Sequence, residues 1–316
     1  MDALRAQLAA AEARAAIAEA SLAERTAQLA PYAAAANSEN KALDALFVAA
    51  QFDRGKYAHD LRFVGGLCRA TRGEEALWSA LIRVQRGPRK HTALMFAASS
   101  GDLERVRWLL ARGPALYADM RDAVGATALY HACEEGHTAV VEELCDAGAG
   151  VDGATNEGFT PLMVASEAGF DDIVGILLAA EADVDATAAG QRRTALTFAC
   201  FAGHGDVVDT LLAANADTAL LGQNDSTALH IACWHGHAKI VRALLRAAAD
   251  INVVNVIGRT PLHDAVVRDH FACTVALVGM GADMNVTDST NHTPRQYART
   301  REIKRLLDNA AAAPGF

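Results

Sequence analysis

The sequence predicts an all-α solenoid of stacked helix-turn-helix units, and three observations point to it. Thr92, Thr127, Thr160, Thr194, Thr227, Thr260 and Thr293 open one short phrase at spacings of 35, 33, 34, 33, 33 and 33 residues. Gly101, Gly136, Gly169, Gly203 and Gly236 each follow their threonine by nine residues. Beyond each glycine a second apolar stripe recurs at a fixed offset: Val140-Val141 with Leu144, Ile173-Val174 with Leu177-Leu178, Val207-Val208 with Leu211-Leu212, and Ile240-Val241 with Leu244-Leu245. A period of this length marks small units that bury their apolar faces only by stacking on neighbours. Such a scaffold works through a surface, not a catalytic cleft.

Each element of one repeat has a local cause. Threonine is a favoured helix N-cap, and Pro161 and Pro261 suit the first helical turn, where a missing N–H costs nothing. The glycine nine residues on ends a short helix and turns the chain back through positive φ. The second stripe has helical period and builds the other arm of a hairpin. Polar segments such as Ala182-Asp183-Val184-Asp185, Ala249-Asp250-Ile251-Asn252 and Gly281-Ala282-Asp283-Met284-Asn285 then supply turn chemistry.

The phrases Thr127-Ala-Leu-Tyr-His-Ala-Cys-Glu-Glu-Gly-His, Thr160-Pro-Leu-Met-Val-Ala-Ser-Glu-Ala-Gly-Phe and Thr227-Ala-Leu-His-Ile-Ala-Cys-Trp-His-Gly-His, with their period, make the chain resemble the ankyrin-repeat family from about Lys90 to Leu307. The resemblance implies a solenoid of helix-turn-helix units with projecting β-turn fingers. Seven repeats are expected over residues 87–308, the last truncated, followed by a tail at 309–316. Departures from the pattern are informative. Gly148 and Gly281 hold the place after the second helix, but Glu181, Asn215 and Ala248 occupy it elsewhere. Positive φ at Glu181 or Ala248 costs about 1 kcal/mol each. Asp269 replaces the inter-helix glycine. In the last unit Ile303, Leu306 and Leu307 come too soon for a full repeat, and Arg295, Arg299, Arg301, Lys304 and Arg305 suit a solvent-facing cap.

Upstream, residues 1–30 read as an alanine-rich helix with Leu4, Leu8, Leu22 and Leu29 at positions compatible with a heptad seam. Two readings stay open, an isolated frayed helix and a short coiled coil making a weak dimer. Pro31 and the polar stretch to Asn40 read as a linker over 31–40. In residues 41–86, Leu61-Arg-Phe-Val-Gly-Gly-Leu-Cys-Arg-Ala-Thr-Arg and Leu77-Trp78-Ser-Ala-Leu81 resemble the second half of an F-box. That resemblance implies docking on the Skp1 adaptor of a cullin ubiquitin ligase, with the repeats holding its substrate. The opening Leu-Pro of that motif is missing, and Thr71 stands where a large aromatic is expected. The alternative is a helical cap in which Val64, Leu67, Leu77, Trp78 and Leu81 cover the apolar end of the first repeat. The basic cluster Arg83, Arg86, Arg89 and Lys90 reads as a solvated linker.

Composition narrows the partner classes. A formal net charge of −9 over 316 residues gives no global field for nucleic acid or anionic lipid, so neither is expected as a partner. No uncharged run reaches the roughly 18 residues of a membrane span, and Asp2, Arg5 and Glu12 interrupt a signal-peptide core. The six cysteines show no Cys-x-x-Cys spacing, and Cys133, Cys200 and Cys233 fall on inner helices as small core side chains. A reducing, intracellular compartment is expected, cytoplasmic or nuclear. His230, His235 and His237 raise a metal reading, yet His137, His204, His237 and His270 each lie ten residues after a threonine, in the turn between helices. His230 and His263 hold the structural place of the ankyrin phrase. Repeat structure accounts for them, and no metal, cofactor or catalytic residue is expected. An enzyme with appended repeats is disfavoured, since only about ninety residues lie outside the array.

The expected function is non-catalytic binding of another protein. In ankyrin-like arrays the finger tips and the exposed edge of each first helix line a concave groove. Carried over, the candidates are Arg89, His91, Ser99 and Ser100 in the first unit, then Glu134, Glu135, Asn156, Glu157, Phe159 and Glu167. The later units contribute Gln191, Arg193, Phe201, Asn224, Trp234, His235, Ile257, Arg259 and Arg268. Phe159, Phe201 and Trp234 either stand partly exposed as anchors or pack sideways between repeats. The charge along this face runs from acidic to basic, a polarity suited to orienting an extended partner.

Overall fold

A computed structural model gives the structure and describes residues 91–111, 118–188, 190 and 192–312. The expected helix at 1–30, the linker at 31–40, the module at 41–86, and Cys68, Arg89 and Gln191 lie outside the described residues.

The described chain pairs fourteen α-helices into seven hairpins. They are α1 (Ala93–Ser99) with α2 (Leu103–Leu110), α3 (Ala128–Glu134) with α4 (Thr138–Asp146), and α5 (Pro161–Ala168) with α6 (Asp171–Ala179). Next come α7 (Ala195–Ala202) with α8 (Gly205–Ala213), α9 (Ala228–His235) with α10 (Ala238–Arg246), and α11 (Pro261–Val267) with α12 (Phe271–Gly279). The short α13 (Pro294–Tyr297) with α14 (Arg301–Ala311) closes the array. Odd-numbered helices pack on one another as an inner row and even-numbered helices as an outer row. Helix α14 runs three residues past the limit of 308 expected from sequence, because the alanines at 310 and 311 favour helix.

Every inner helix begins at its threonine. Oγ1 of Thr92, Thr127, Thr160, Thr194 and Thr260 accepts from the N–H three residues on, at 3.2–3.5 Å. At Thr227 and Thr293 the threonine N–H instead donates to His230 Nδ1 (3.3 Å) and to Gln296 Oε1 (2.7 Å). Such a cap stabilises a helix by about 1 kcal/mol. The second apolar stripe is core: Val140, Val141, Leu144, Ile173, Val174, Leu177, Val207, Val208 and Leu211 are all buried. Cys133, Cys200 and Cys233 are buried free thiols, with pKa pushed up by burial.

Neighbouring hairpins register on one another through a ring seated on a glycine. His137 covers Gly101, Phe170 covers Gly136, His204 covers Gly169, His237 covers Gly203 and His270 covers Gly236, each ring 2.6–2.7 Å from where a Cβ would stand. His137, His204 and His270 also hydrogen-bond through Nε2 to the carbonyls of Ser99 (3.1 Å), Glu167 (3.0 Å) and Trp234 (3.1 Å) in the preceding repeat. The periodic histidines therefore have the helix-end role expected of them. At the last junction Asp269, at φ 62°, replaces the glycine, and Thr300 replaces the ring, donating to Asp269 Oδ1 at 2.8 Å.

Glu181, Asn215 and Ala248 adopt the positive φ that their places demand, 64°, 63° and 61°. Beyond them, Asp119, Asp152, Asp185 and Asn252 each accept through Oδ1 from a backbone N–H one repeat on, at Gly150, Asp183, Asp217 and Asp283. Each finger closes on a backbone hydrogen bond, as from Thr155 to Phe159 and from Asn255 to Arg259. The finger before Thr194 closes from Ala188 to Arg193, one residue wider, which places the extra residue of the 34-residue spacing there. At the C-terminal end Ile303 and Leu307 are buried while Arg299, Arg301 and Arg305 face solvent, the expected cap. Among the described residues no helix is long and apolar enough to cross a membrane.

Candidate interaction surface

Fingers and inner helices together wall a groove, and between α7, α9 and α11 it deepens into a cavity of about 560 Å³. Seven residues expected on the groove line it: Arg193, Phe201, Asn224, Trp234, His235, Ile257 and Arg259. Phe201 is 42% exposed, Trp234 and Phe159 are half-buried, and Ile257 is exposed. The aromatics are partly exposed and also packed sideways. Phe201 presents surface while its edge meets His235 at 4.7 Å, and Phe159 leans on Phe198 at 5.7 Å.

Three arginines stack on aromatic faces along this stretch. The Arg268 guanidinium lies 3.9 Å from the Trp234 ring centroid, Arg259 4.9 Å from Tyr297, and Arg193 5.5 Å from Phe201. Stacking fixes each guanidinium plane, and at Arg193 and Arg268 it leaves the N–H edge available to donate. Arg259 already turns Nε towards Asp288 at 3.4 Å. Burial works against the Asp288 carboxylate, but hydrogen bonds from Thr290, Tyr297 and the His292 and Thr290 backbone hold it well below the usual range.

Sequence reasoning missed the floor of the cavity. Ile231 and Asp264, four residues after their threonines, line it with His230, Ser226, Asn255 and Val256. Asp264 is only 4% exposed. Burial raises its pKa to about 7 against the lowering influence of Arg259 and Arg268. A visible signal was there, since Val164, Phe198 and Ile231 make the same position apolar in the three preceding repeats. His230 Nε2 is bound to the Arg259 carbonyl at 2.9 Å, and burial lowers its pKa to about 4.

The N-terminal half of the face is acidic. Glu134, Glu135, Glu157 and Glu167 are exposed, and Asn156, also exposed, donates through Nδ2 to the Ala123 carbonyl at 3.2 Å. Burial, followed by Glu134, pushes the Tyr130 hydroxyl up to about 12. Ser99 and Ser100 spend their hydroxyls on backbone carbonyls of α1, and Arg268 is exposed at the far end. His230, His235 and His237 are not gathered as ligands. The cluster with ligand spacing among the described residues is His91, Asp122 and His131.

A profile of ankyrin repeats in three copies matches residues 8–149, 94–188, 177–255 and 196–288. The chain belongs to the ankyrin-repeat family. Its array is similar in structure to the ankyrin repeat domain of Bcl-3, described as a unique member of the IkappaB family. That likeness has a TM-score of 0.63 and 26% identity, covering 70% of this chain and 99% of that one. The human ASB11 ankyrin repeat domain is similar too, with a TM-score of 0.62 and 25% identity over 71% of this chain and 100% of that one. Among curated proteins, diacylglycerol kinase iota of Rattus norvegicus is 38% identical over 93 residues, 29% of this ankyrin-repeat chain and 9% of the kinase. The human enzyme is 37% identical over 93 residues with the same shares. The chain thus spans less than a tenth of the length of these curated relatives. Ankyrin repeats indicate a protein–protein interaction domain.

Proposed function

We propose that this protein is a non-catalytic binder that holds an extended segment of a partner protein along its concave groove. The segment's acidic residues lie toward repeats four to six and its basic residues toward repeats two and three. The observation that carries the reading is the pair of stacked arginines, Arg193 on Phe201 and Arg268 on Trp234, beside the cavity that Phe201 and Trp234 line. A guanidinium held flat on a ring has already lost much of its freedom, so a carboxylate that pairs with it binds at low entropic cost. The exposed Glu134, Glu135, Glu157 and Glu167 supply the opposite field at the other end. Buried cysteines with raised pKa make poor nucleophiles, which suits a binder.

Selection of a displayed library of short random peptides on the full chain tests this. Selected peptides are expected to be rich in Asp and Glu beside an apolar or aromatic residue. The double substitution Arg193→Glu with Arg268→Glu is expected to weaken them by at least about tenfold while leaving helicity unchanged. Peptides that are basic, or that bind the charge-reversed variant equally well, would overturn the assignment. Docking on Skp1 is a separate proposal resting on the phrase Leu61 to Leu81. Its test is whether purified Skp1 binds the full chain and fails to bind a version lacking residues 1–86.

A further inference from the structure

Near the N-terminal end of the described repeats, in the finger before α3, Asp122 is buried. Its Oδ1 accepts from the N–H groups of Val124 and Ala126, both at 2.9 Å. Its Oδ2 is thereby turned towards two imidazoles, His91 Nε2 at 3.2 Å and His131 Nε2 at 3.1 Å. The three atoms all lie within 4.8 Å of one another. On the far side of its ring, His131 Nδ1 is 3.5 Å from Glu134 Oε2.

We propose that His91 Nε2, His131 Nε2 and Asp122 Oδ2 bind a divalent transition metal, zinc by ligand type, which ties the first repeat to the second. Zinc bonds of about 2.0–2.2 Å in a tetrahedron set neighbouring ligand atoms about 3.3–3.5 Å apart. Both nitrogen-to-oxygen separations here are within a few tenths of an ångström of that edge. Two imidazoles and one carboxylate form a zinc-type donor set. The outer groups fit as well. Glu134 Oε2, 3.5 Å from Nδ1, favours the ring proton there and so leaves the Nε2 lone pair of His131 for a metal, while the finger backbone anchors Asp122 through the other oxygen. The remaining coordination position is filled by water.

The array contains its own comparison. Asp288 precedes Thr293 by the same five residues as Asp122 precedes Thr127. It too meets the residue just before the preceding threonine and the residue four after its own, but these are Arg259 (Nε 3.4 Å) and Tyr297 (hydroxyl 2.5 Å). That carboxylate is held by a permanently charged donor and a phenol, and such a set hydrogen-bonds without a metal. The first site replaces both with imidazoles, whose ring nitrogens ligate transition metals. Three ligands drawn from two repeats make the ion a staple across their junction.

The full chain, stripped with a chelator and dialysed, is titrated calorimetrically with zinc chloride at neutral pH. A single saturable equivalent and a higher unfolding temperature are expected. His131→Gln and His91→Gln are each expected to abolish that equivalent with circular dichroism unchanged, and Glu134→Gln to weaken it about tenfold. His91 is only half-buried, so H91Q keeps the test valid if H131Q fails to fold. Absence of a saturable equivalent, or zinc binding equal to wild type in H91Q, overturns the proposal and leaves a hydrogen-bonded cluster like that of Asp288.

Discussion

Asp264 is a carboxyl where its neighbours in the array are valine, phenylalanine and isoleucine. Burial raises its pKa from 3.8 to about 7. A folded-state pKa above the unfolded value means that the folded chain holds the proton more tightly. The contribution of Asp264 is therefore most favourable below pH 4 and is lost as pH rises through about 7. Asp264→Asn, which cannot ionise, is expected to match wild type near pH 4 and to exceed its stability at pH 8 by up to about 4 kcal/mol. Urea unfolding of the two proteins at both pH values measures the gap, and a gap independent of pH would remove ionisation as its cause. His230 acts in the opposite direction. With a folded pKa of about 4 against 6.5, it withdraws stability as pH falls between those values.

At the scale of the element, each hairpin is decided by residues adjacent in sequence, and those were legible. The threonines mark where inner helices start, the glycines where they stop, and Glu181, Asn215 and Ala248 where a left-handed turn is made without glycine. Two glycines with the same backbone and different surroundings separate conformation from contact. Gly148, at φ 78°, has open space where a Cβ would stand, whereas at Gly169, at φ 82°, the His204 ring is 2.6 Å from that point. Gly148→Ala is expected to cost about 1 kcal/mol. Gly169→Ala is expected to cost at least about 1–3 kcal/mol more, because the ring carries its own hydrogen bond to Glu167 and cannot simply swing away. Thermal unfolding of both variants checks the order. What the sequence hid lies between elements. His91 and Asp122 stand 31 residues apart, and only the folding of a finger over an inner helix brings them together. The stacking of Arg268 on Trp234 joins α9 to the end of α11, again across a repeat boundary. The periodic offsets found the rim of the groove at Arg193, Phe201 and Trp234. They passed over its floor at Ile231 and Asp264, which lie four residues after their threonines and outside the offsets carried over.

Over the whole array, stability is a sum of units and of the interfaces between neighbours. The terminal hairpin is short, and its buried Ile303 and Leu307 are the apolar cover over the end of the stack. Removing residues 293–316 is expected to leave α11 and α12 without that cover. Hydrogen exchange should then accelerate in those two helices first while α5 to α8 keep their protection. Uniform loss of protection along the chain would mean that the array unfolds as one block. The seating of a ring on each inter-helix glycine has a consequence for how such a chain can lengthen. An internal unit duplicated between Gly101 and Gly236 brings both halves of the fit with it, a bare backbone for the next ring and a ring for the previous backbone. After Asp269 the fit is different, since a side chain stands where a ring would have to lie, and Thr300 has been matched to it. The array is thus free to expand from within by duplication between those glycines, whereas a unit that brings an inter-helix ring does not fit directly after Asp269.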